Sequence, residues 1–206
     1  MTKKKPIDDA GKRETAQRIL KQALVLFAKR GFDSTTMRDV STSVGISLGL
    51  VTYHFPKKID LFRAAITVPY DAFVGDLRRI VANRTRNPRE RLLDLLERLA
   101  SLSETEAQLV RAVFRELLTS PEHLSDLIGL FRSGHVLVVL TAIQDAVEDG
   151  VLPKGIGPGI LPAIMGATVL PSVLAITLHQ ITPNVDFAQA ILEGGHHDLA
   201  LLLGLL

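Results

Sequence analysis

Three breaks in a helical periodicity, at Gly31, Gly45 and Pro56, divide the N-terminal part of this chain into one long helix and two short ones. Upstream of Gly31, residues Ala16, Ile19, Leu20, Ala23, Leu24 and Phe27 recur at helical spacing, with Arg13, Arg18, Lys21 and Lys29 off that stripe. The spacing predicts an amphipathic helix from Lys12 to Arg30, stopped by Gly31. Thr36-Met37-Arg38-Asp39 reads as a capping box, with Thr36 as N-cap and Asp39 at N3, opening a short helix that buries Met37, Val40 and Val44. Gly45 ends it, Ile46 plugs the turn, and Ser47 caps a third helix, Leu48 to Phe55. Pro56 suits the first turn of a fourth helix, Lys57 to Val68, whose apolar surface is Ile59, Leu61, Phe62, Ala65 and Ile66. Pro69 is expected to end it.

Helix, glycine turn, short helix, with polar and basic residues outward, is a helix-turn-helix. The charge distribution agrees. Up to Arg63 the chain carries 13 Lys/Arg against 6 Asp/Glu, and beyond it 11 against 16. A basic small domain is the electrostatic footprint of a nucleic-acid binder, because neutralised phosphates supply the sequence-independent part of the affinity.

The same residues carry a family pattern. Gly31, Thr36, Val40, Gly45, Ile46, Ser47, Gly49, Val51, His54, Phe55, Lys58 and Leu61 stand in the register of the DNA-binding signature of the tetracycline-repressor (TetR) family, which this stretch resembles. Two positions depart from it: Ser41 replaces the usual alanine, and Thr52 stands where an aromatic is commonest, with Tyr53 directly after it. Beyond Val68 only the helical pattern and the length agree. The resemblance implies an all-α chain with three parts. These are a flexible basic arm at 1–11, a three-helix helix-turn-helix domain with its connecting helix at 12–68, and a larger helical effector-binding and dimerisation domain at 69–206. It also implies a homodimer on a palindromic double-stranded DNA operator, usually repressing, released by a small-molecule effector, with no cofactor. The fourth helix, joined to both parts, is the natural lever.

In a helix-turn-helix the second short helix enters the major groove. Its outward positions are Leu48, Gly49, Thr52 and Tyr53, while Val51 and Phe55 face the core. Gly49 removes a side chain where DNA comes close; Leu48 and the Thr52 methyl suit thymine C5-methyl groups. Arg38 is the candidate for a directional contact to guanine or phosphate. Phosphate positioning falls to Thr36, Tyr53, His54 and Lys58, helped by backbone N–H groups after Pro56, and Ser47 completes the predicted interface as N-cap.

The rest of the chain shows helical patterns at Tyr70–Val81, Pro88–Leu102, Thr105–Leu118 and Pro121–Glu148, the last bent near Ser133-Gly134. A basic loop lies at Asn83–Asn87 and another loop at Gly155–Pro158. Two final apolar helices, Ile160–Ile181 and Asp186–Leu205, are by resemblance the pair that forms the dimer interface. For the effector cavity the candidates are Phe73, Leu95, Phe114, Phe131 and His135, with plain core as their other reading.

Between Lys154 and Asp186 no residue is charged, which passes the length test for a membrane span. Pro158, Pro162 and Pro171, several polar residues and the lack of a flanking basic cluster favour a helix buried between its own body and a dimer partner, and no membrane partner is expected. The alternatives to a DNA-regulated protein are a membrane-associated helical protein and a helical adaptor. With no cysteine, disulfides and thiolate metal sites are excluded. His196-His197-Asp198 lacks helical ligand spacing, so no metal site is expected. No nucleotide-binding, nucleophile-elbow or metalloprotease motif is present, so no enzyme is expected. The basic start leads into no apolar stretch, and cytoplasm is the default location.

Overall fold

The computed structural model describes residues 9–156, 158–181, 197 and 199–205. Every regular element among them is helical. The chain forms two compact units: Met1–Pro69 with Gln108–Leu124, and Tyr70–Ala107 with Ser125–Leu206. Sequence reading assigned all of 69–206 to one body; the stretch from Gln108 to Leu124 belongs instead with the head.

In the head unit, α1 (Asp9–Arg30) leads through Gly31, at φ +84°, to α2 (Met37–Val44), α3 (Leu48–His54) and the first part of α4 (Lys58–Ala82). Asp9 to Gly11, assigned to the flexible arm, are the first turn of α1; the rest of that arm lies outside the described residues. The apolar stripe read from the sequence forms the core. Ile19, Ala23, Val40, Val51, Leu61, Phe62 and Ile66 are completely shielded, and Phe27 stands edge-on to Phe62 with ring centroids 5.1 Å apart. Burying each such side chain stabilises by roughly 1.5–3 kcal/mol, enough together to hold helices too short to stand alone.

Pro69 does not end the fourth helix. α4 continues to Ala82, so the separate helix expected from Tyr70 is its second half. A proline inside a helix costs about 3 kcal/mol through one lost hydrogen bond and a ring clash. Ala65 and Ile66 are buried before it and Tyr70, Phe73, Val74 and Leu77 after it, which outweighs that cost.

The body unit contains α5 (Pro88–Ala100), the first turn of α6 (Glu104–Thr119), α7 (Ser125–Phe131) and α8 (Leu137–Glu148). α9 (Leu161–Ala167) and α10 (Val169–Ile181) complete it. Leu92, Leu95, Leu96 and Leu99 of α5 and Val139, Ala142, Ile143 and Ala146 of α8 are all buried. Polar groups in this core are paired. Arg91, 6% exposed, donates to Asp145 at 2.9 Å, and Arg98 reaches Asp76 at 3.0 Å and Glu106 at 2.5 Å.

Two long helices read from the sequence are interrupted. The stretch Pro121–Glu148 is a 3₁₀ turn (Pro121–Leu124), α7, a wide turn (Arg132–Val136) and α8, with Gly134 at the non-helical φ −91°, ψ −116°. Ile160–Ile181 breaks at Thr168, φ −123°, ψ −71°, because Pro171 has no N–H for the carbonyl of Ala167. By length and composition Pro121–Glu148 and Pro158–Thr177 could each cross a membrane, yet each contains one of these breaks. Of the expected final helix Asp186–Leu205, residues 186–196 and 198 lie outside the described residues. Leu199, Ala200 and Leu205 are buried, and the Leu205 carbonyl accepts from Arg89 Nε at 3.1 Å.

Candidate nucleic-acid interface

The two short helices are aimed by their ends. Thr36, in extended conformation, accepts a hydrogen bond from the Asp39 N–H at 3.1 Å, and Asp39 Oδ2 accepts from the Thr36 N–H at 2.8 Å. The Thr36 hydroxyl also donates to Asp39 Oδ2 at 2.6 Å, and this bond first, then the one from the Thr36 N–H, with Arg30 nearby, hold the Asp39 carboxyl below its ordinary range. At the other end Gly45 turns left-handed, φ +74°, and its N–H and that of Ile46 close on Ser41 O. Arg18 of α1 donates to Val44 O at 3.1 Å, so α1 satisfies one of the orphan carbonyls of α2. Ser47 Oγ then accepts from Leu50 N–H at 3.2 Å and starts α3.

This geometry places Leu48, Gly49, Thr52 and Tyr53 on the outer face of α3 while Val51 is fully buried. Tyr53 is 65% exposed and its ring lies edge-on to His54 at 5.3 Å. The Thr52 hydroxyl donates back to Leu48 O at 3.1 Å and Gly49 O at 3.2 Å, so its proton is engaged within its own helix. Arg38 and Thr36 are exposed at the start of α2, and Arg38 has no side-chain hydrogen bond or ion pair among the described residues. Ser47 is exposed as well, whereas His54 and Phe55 are half-buried.

Lys58 is placed differently from its sequence reading. Its ammonium donates to Phe32 O at 2.9 Å and stands 4.2 Å over the Phe32 ring, so in this structure it braces the turn after α1. Lys57, beside it at the start of α4, is exposed. Sequence reasoning also missed Glu116, Phe32 and His123. Glu116 of α6 is buried and accepts from Phe32 N–H at 2.7 Å, and the pairing spans 84 positions of chain, for which no local signal exists.

The five effector candidates are not brought together. Phe131 and His135 meet around Tyr70, Phe73 lies under the Arg98 guanidinium at 4.8 Å, and Leu95 is fully buried. Phe114 falls in the head unit. None of the five lines a groove of about 290 Å³ in the body unit, whose lining includes Val81, Ala82, Leu137 and Val138 together with Arg78 and Arg84. Among the described residues no group of three or more His, Cys, Asp or Glu could hold a metal; His196 and Asp198 lie outside them.

Comparison with known proteins bears on this interface. The family model described as "Bacterial regulatory proteins, tetR family" matches residues 19–65. The chain is 26% identical over 137 residues to the "Probable HTH-type transcriptional regulator YttP" of Bacillus subtilis, covering 66% of this chain and 64% of that protein. It is 35% identical over 79 residues to the HTH-type transcriptional repressor KstR2 of Rhodococcus jostii, covering 38% and 39%. The chain thus spans less than two thirds of the length of the curated relatives it matches first. Among solved structures, the ketosteroid transcriptional regulator KstR2 of Mycobacterium tuberculosis aligns with TM-score 0.69 at 22% identity, over 92% of this chain and 93% of that one. AibR, solved with isovaleryl coenzyme A and operator DNA, aligns with TM-score 0.69 at 16% identity, over 92% and 98%. Both likenesses establish the fold.

Proposed function

We propose that the chain is a transcriptional repressor of the tetR family, whose model matches residues 19–65, and that it grips a palindromic operator as a homodimer. The observation that carries this reading is the outer face of α3. A buried Val51 fixes the helix, both ends of α2 are capped, and Leu48, Gly49, Thr52 and Tyr53 are left presented together with Arg38. Its working place is the cytoplasm, where the operator is.

The dimer is supported by α9 and α10. Pro162, Ala163, Gly166, Leu170 and Leu174 are exposed along one side of these helices, neither of which contains a charged residue. Such a face, with small residues for close approach, is what a two-fold interface buries. For the effector, the body groove offers apolar lining residues together with two arginines. Arg84 shares Asp145 with Arg91, and Arg78 has no ion pair among the described residues. This arrangement suits an apolar molecule with an anionic head, in keeping with the acyl coenzyme A bound by AibR.

The test is enrichment of duplexes by the full-length protein from a random library, followed by footprinting. Inverted half-sites protected by a dimer are expected, with release on addition of an acyl coenzyme A. Failure to enrich any sequence would overturn the DNA-binding reading, and a stable monomer at micromolar concentration would overturn the dimer.

A further inference from the structure

The turn that launches the DNA-reading helices is held from outside itself. Phe32 lies between Gly31, the left-handed stop of α1, and Thr36, the cap of α2. Its N–H donates to Glu116 Oε1 at 2.7 Å and its carbonyl accepts from Lys58 Nζ at 2.9 Å. Its ring faces the His123 ring at 4.2 Å, and His123 Nδ1 in turn bonds Glu116 Oε2 at 2.8 Å. One turn earlier on the same side, Arg115 Nε donates to Ala28 O at 3.3 Å, at the end of α1. Gly31 is confined as well: a Cβ there would stand 3.2 Å from Arg115 Cδ and 3.4 Å from Glu116 Oε1.

Glu116 is only 2% exposed. An apolar side chain would pack there at a lower desolvation cost, since a buried carboxylate must be compensated by its partners. What the carboxylate adds is direction. One charge-assisted hydrogen bond ties the last turn of α6 to the Phe32 N–H of the α1–α2 turn, while His123 holds the other carboxylate oxygen, and such a bond is short and geometrically demanding. We propose that Glu116 is a positioning residue for DNA recognition, fixing through Phe32 the turn that aims α2 and α3. Sequence-specific affinity then depends on a carboxylate that is buried away from DNA. Non-specific affinity depends far less on it, because phosphate contacts tolerate small displacements that base contacts do not. The proposal rests on the DNA-binding reading above and adds to it a positioning contact made within the head unit.

The experiment compares Glu116→Leu and Glu116→Gln in the full-length protein against two probes, the duplex enriched by the wild type and a scrambled duplex of equal length. Exchange of the Phe32 amide is followed by NMR. Leucine strands the Phe32 N–H, so its exchange should accelerate. Affinity for the enriched duplex should fall about tenfold or more, the scale for losing a buried hydrogen bond to a charged group, with the scrambled duplex little changed. Glutamine keeps an acceptor and should restore most of the selectivity. Wild-type selectivity in the leucine variant, or equal loss on both duplexes, would overturn the proposal. Should the leucine variant not fold, His123→Phe decides. It keeps a ring against Phe32 and removes Nδ1, and must lower the ratio of enriched to scrambled affinity; an unchanged ratio refutes the assignment. If the wild type enriches nothing, the DNA-binding reading fails, while the Phe32 exchange rate still reports whether Glu116 holds the turn.

Discussion

Tyr70 and His135 are joined by a 2.9 Å hydrogen bond between the phenol oxygen and Nδ1, at the break between α7 and α8. The backbone N–H of His135 donates to the same phenol oxygen at 3.1 Å. A side chain of α4 thus takes the place of the helical bonding that Gly134, with its non-helical backbone, interrupts. Phe131 closes the site, its ring edge-on to Tyr70 at 5.1 Å.

The fit predicts that Gly134 tolerates no side chain. A Cβ there would overlap the Tyr70 hydroxyl and stand 2.9 Å from its Cζ, and Tyr70 is a buried, rigid ring at 4% exposure. Gly134→Ala should therefore destabilise the body unit by about 1–3 kcal/mol, the usual scale for overpacking. Adding Tyr70→Phe removes the hydroxyl and should recover part of the loss but not all, because Cζ remains. Chemical denaturation of the single and double variants measures both; a neutral Gly134→Ala would show that the wedge is soft.

A pH dependence follows from the same pair. Burial pushes the His135 imidazole below its ordinary value and raises the Tyr70 phenol, so both neutral forms are favoured in the folded chain. With the folded value of His135 depressed, the unfolded chain takes up the proton first. The stability is therefore fully present above the ordinary histidine pKa, about 6.5, and is lost as pH falls from there through the folded value. His135→Gln should flatten the part of the stability–pH curve below neutrality relative to wild type. Identical curves for the two proteins would dissociate His135 from the acid sensitivity.

How much of this was legible depends on the range of the interaction. The capping box at Thr36 and Asp39, the left-handed Gly45 and the Ser47 cap are set by residues within one turn of each other, and the sequence placed all of them. Interruptions by proline were harder, because local propensity competes with packing. Pro69 was overruled by the buried residues flanking it, whereas Pro171 does coincide with a break, at Thr168. The Glu116–Phe32 bond and the inward turn of Lys58 were invisible, since both depend on residues brought together only by the fold.

Lys58 and Lys57 can be separated by salt. A lysine neutralising one phosphate contributes about one unit to the slope of log affinity against log salt. Because the Lys58 ammonium is held by Phe32, Lys58→Met should weaken operator binding and lower stability while leaving that slope nearly unchanged. Lys57→Ala, at the exposed neighbouring position, should lower the slope by about one unit with sequence preference intact. Titrations of each variant on operator and scrambled duplex at several salt concentrations decide it. A unit drop in slope for Lys58→Met would return that residue to the phosphate.

The outer face of α3 predicts how a half-site is read. Leu48, 37% exposed, and the Thr52 methyl offer apolar contacts, and the Thr52 hydroxyl proton is already engaged by Leu48 O and Gly49 O. A thymine is therefore expected under this helix, recognised through its C5-methyl. Replacing it with uracil removes that methyl and leaves every Watson–Crick group in place. A good base contact discriminates by roughly 1–3 kcal/mol, and a lone methyl belongs at the low end, about a several-fold loss of affinity. Thr52→Ala keeps a methyl and gives up a hydroxyl bonded only within its own helix, so it should cost less than Thr52→Ser, which loses the methyl. The two measurements constrain each other: on uracil-substituted operator the wild type and Thr52→Ser should converge, because the partner of the missing methyl is already gone. If uracil is silent at every thymine of both half-sites, apolar readout fails, and selectivity must rest on Arg38, Tyr53 and the deformability of the DNA.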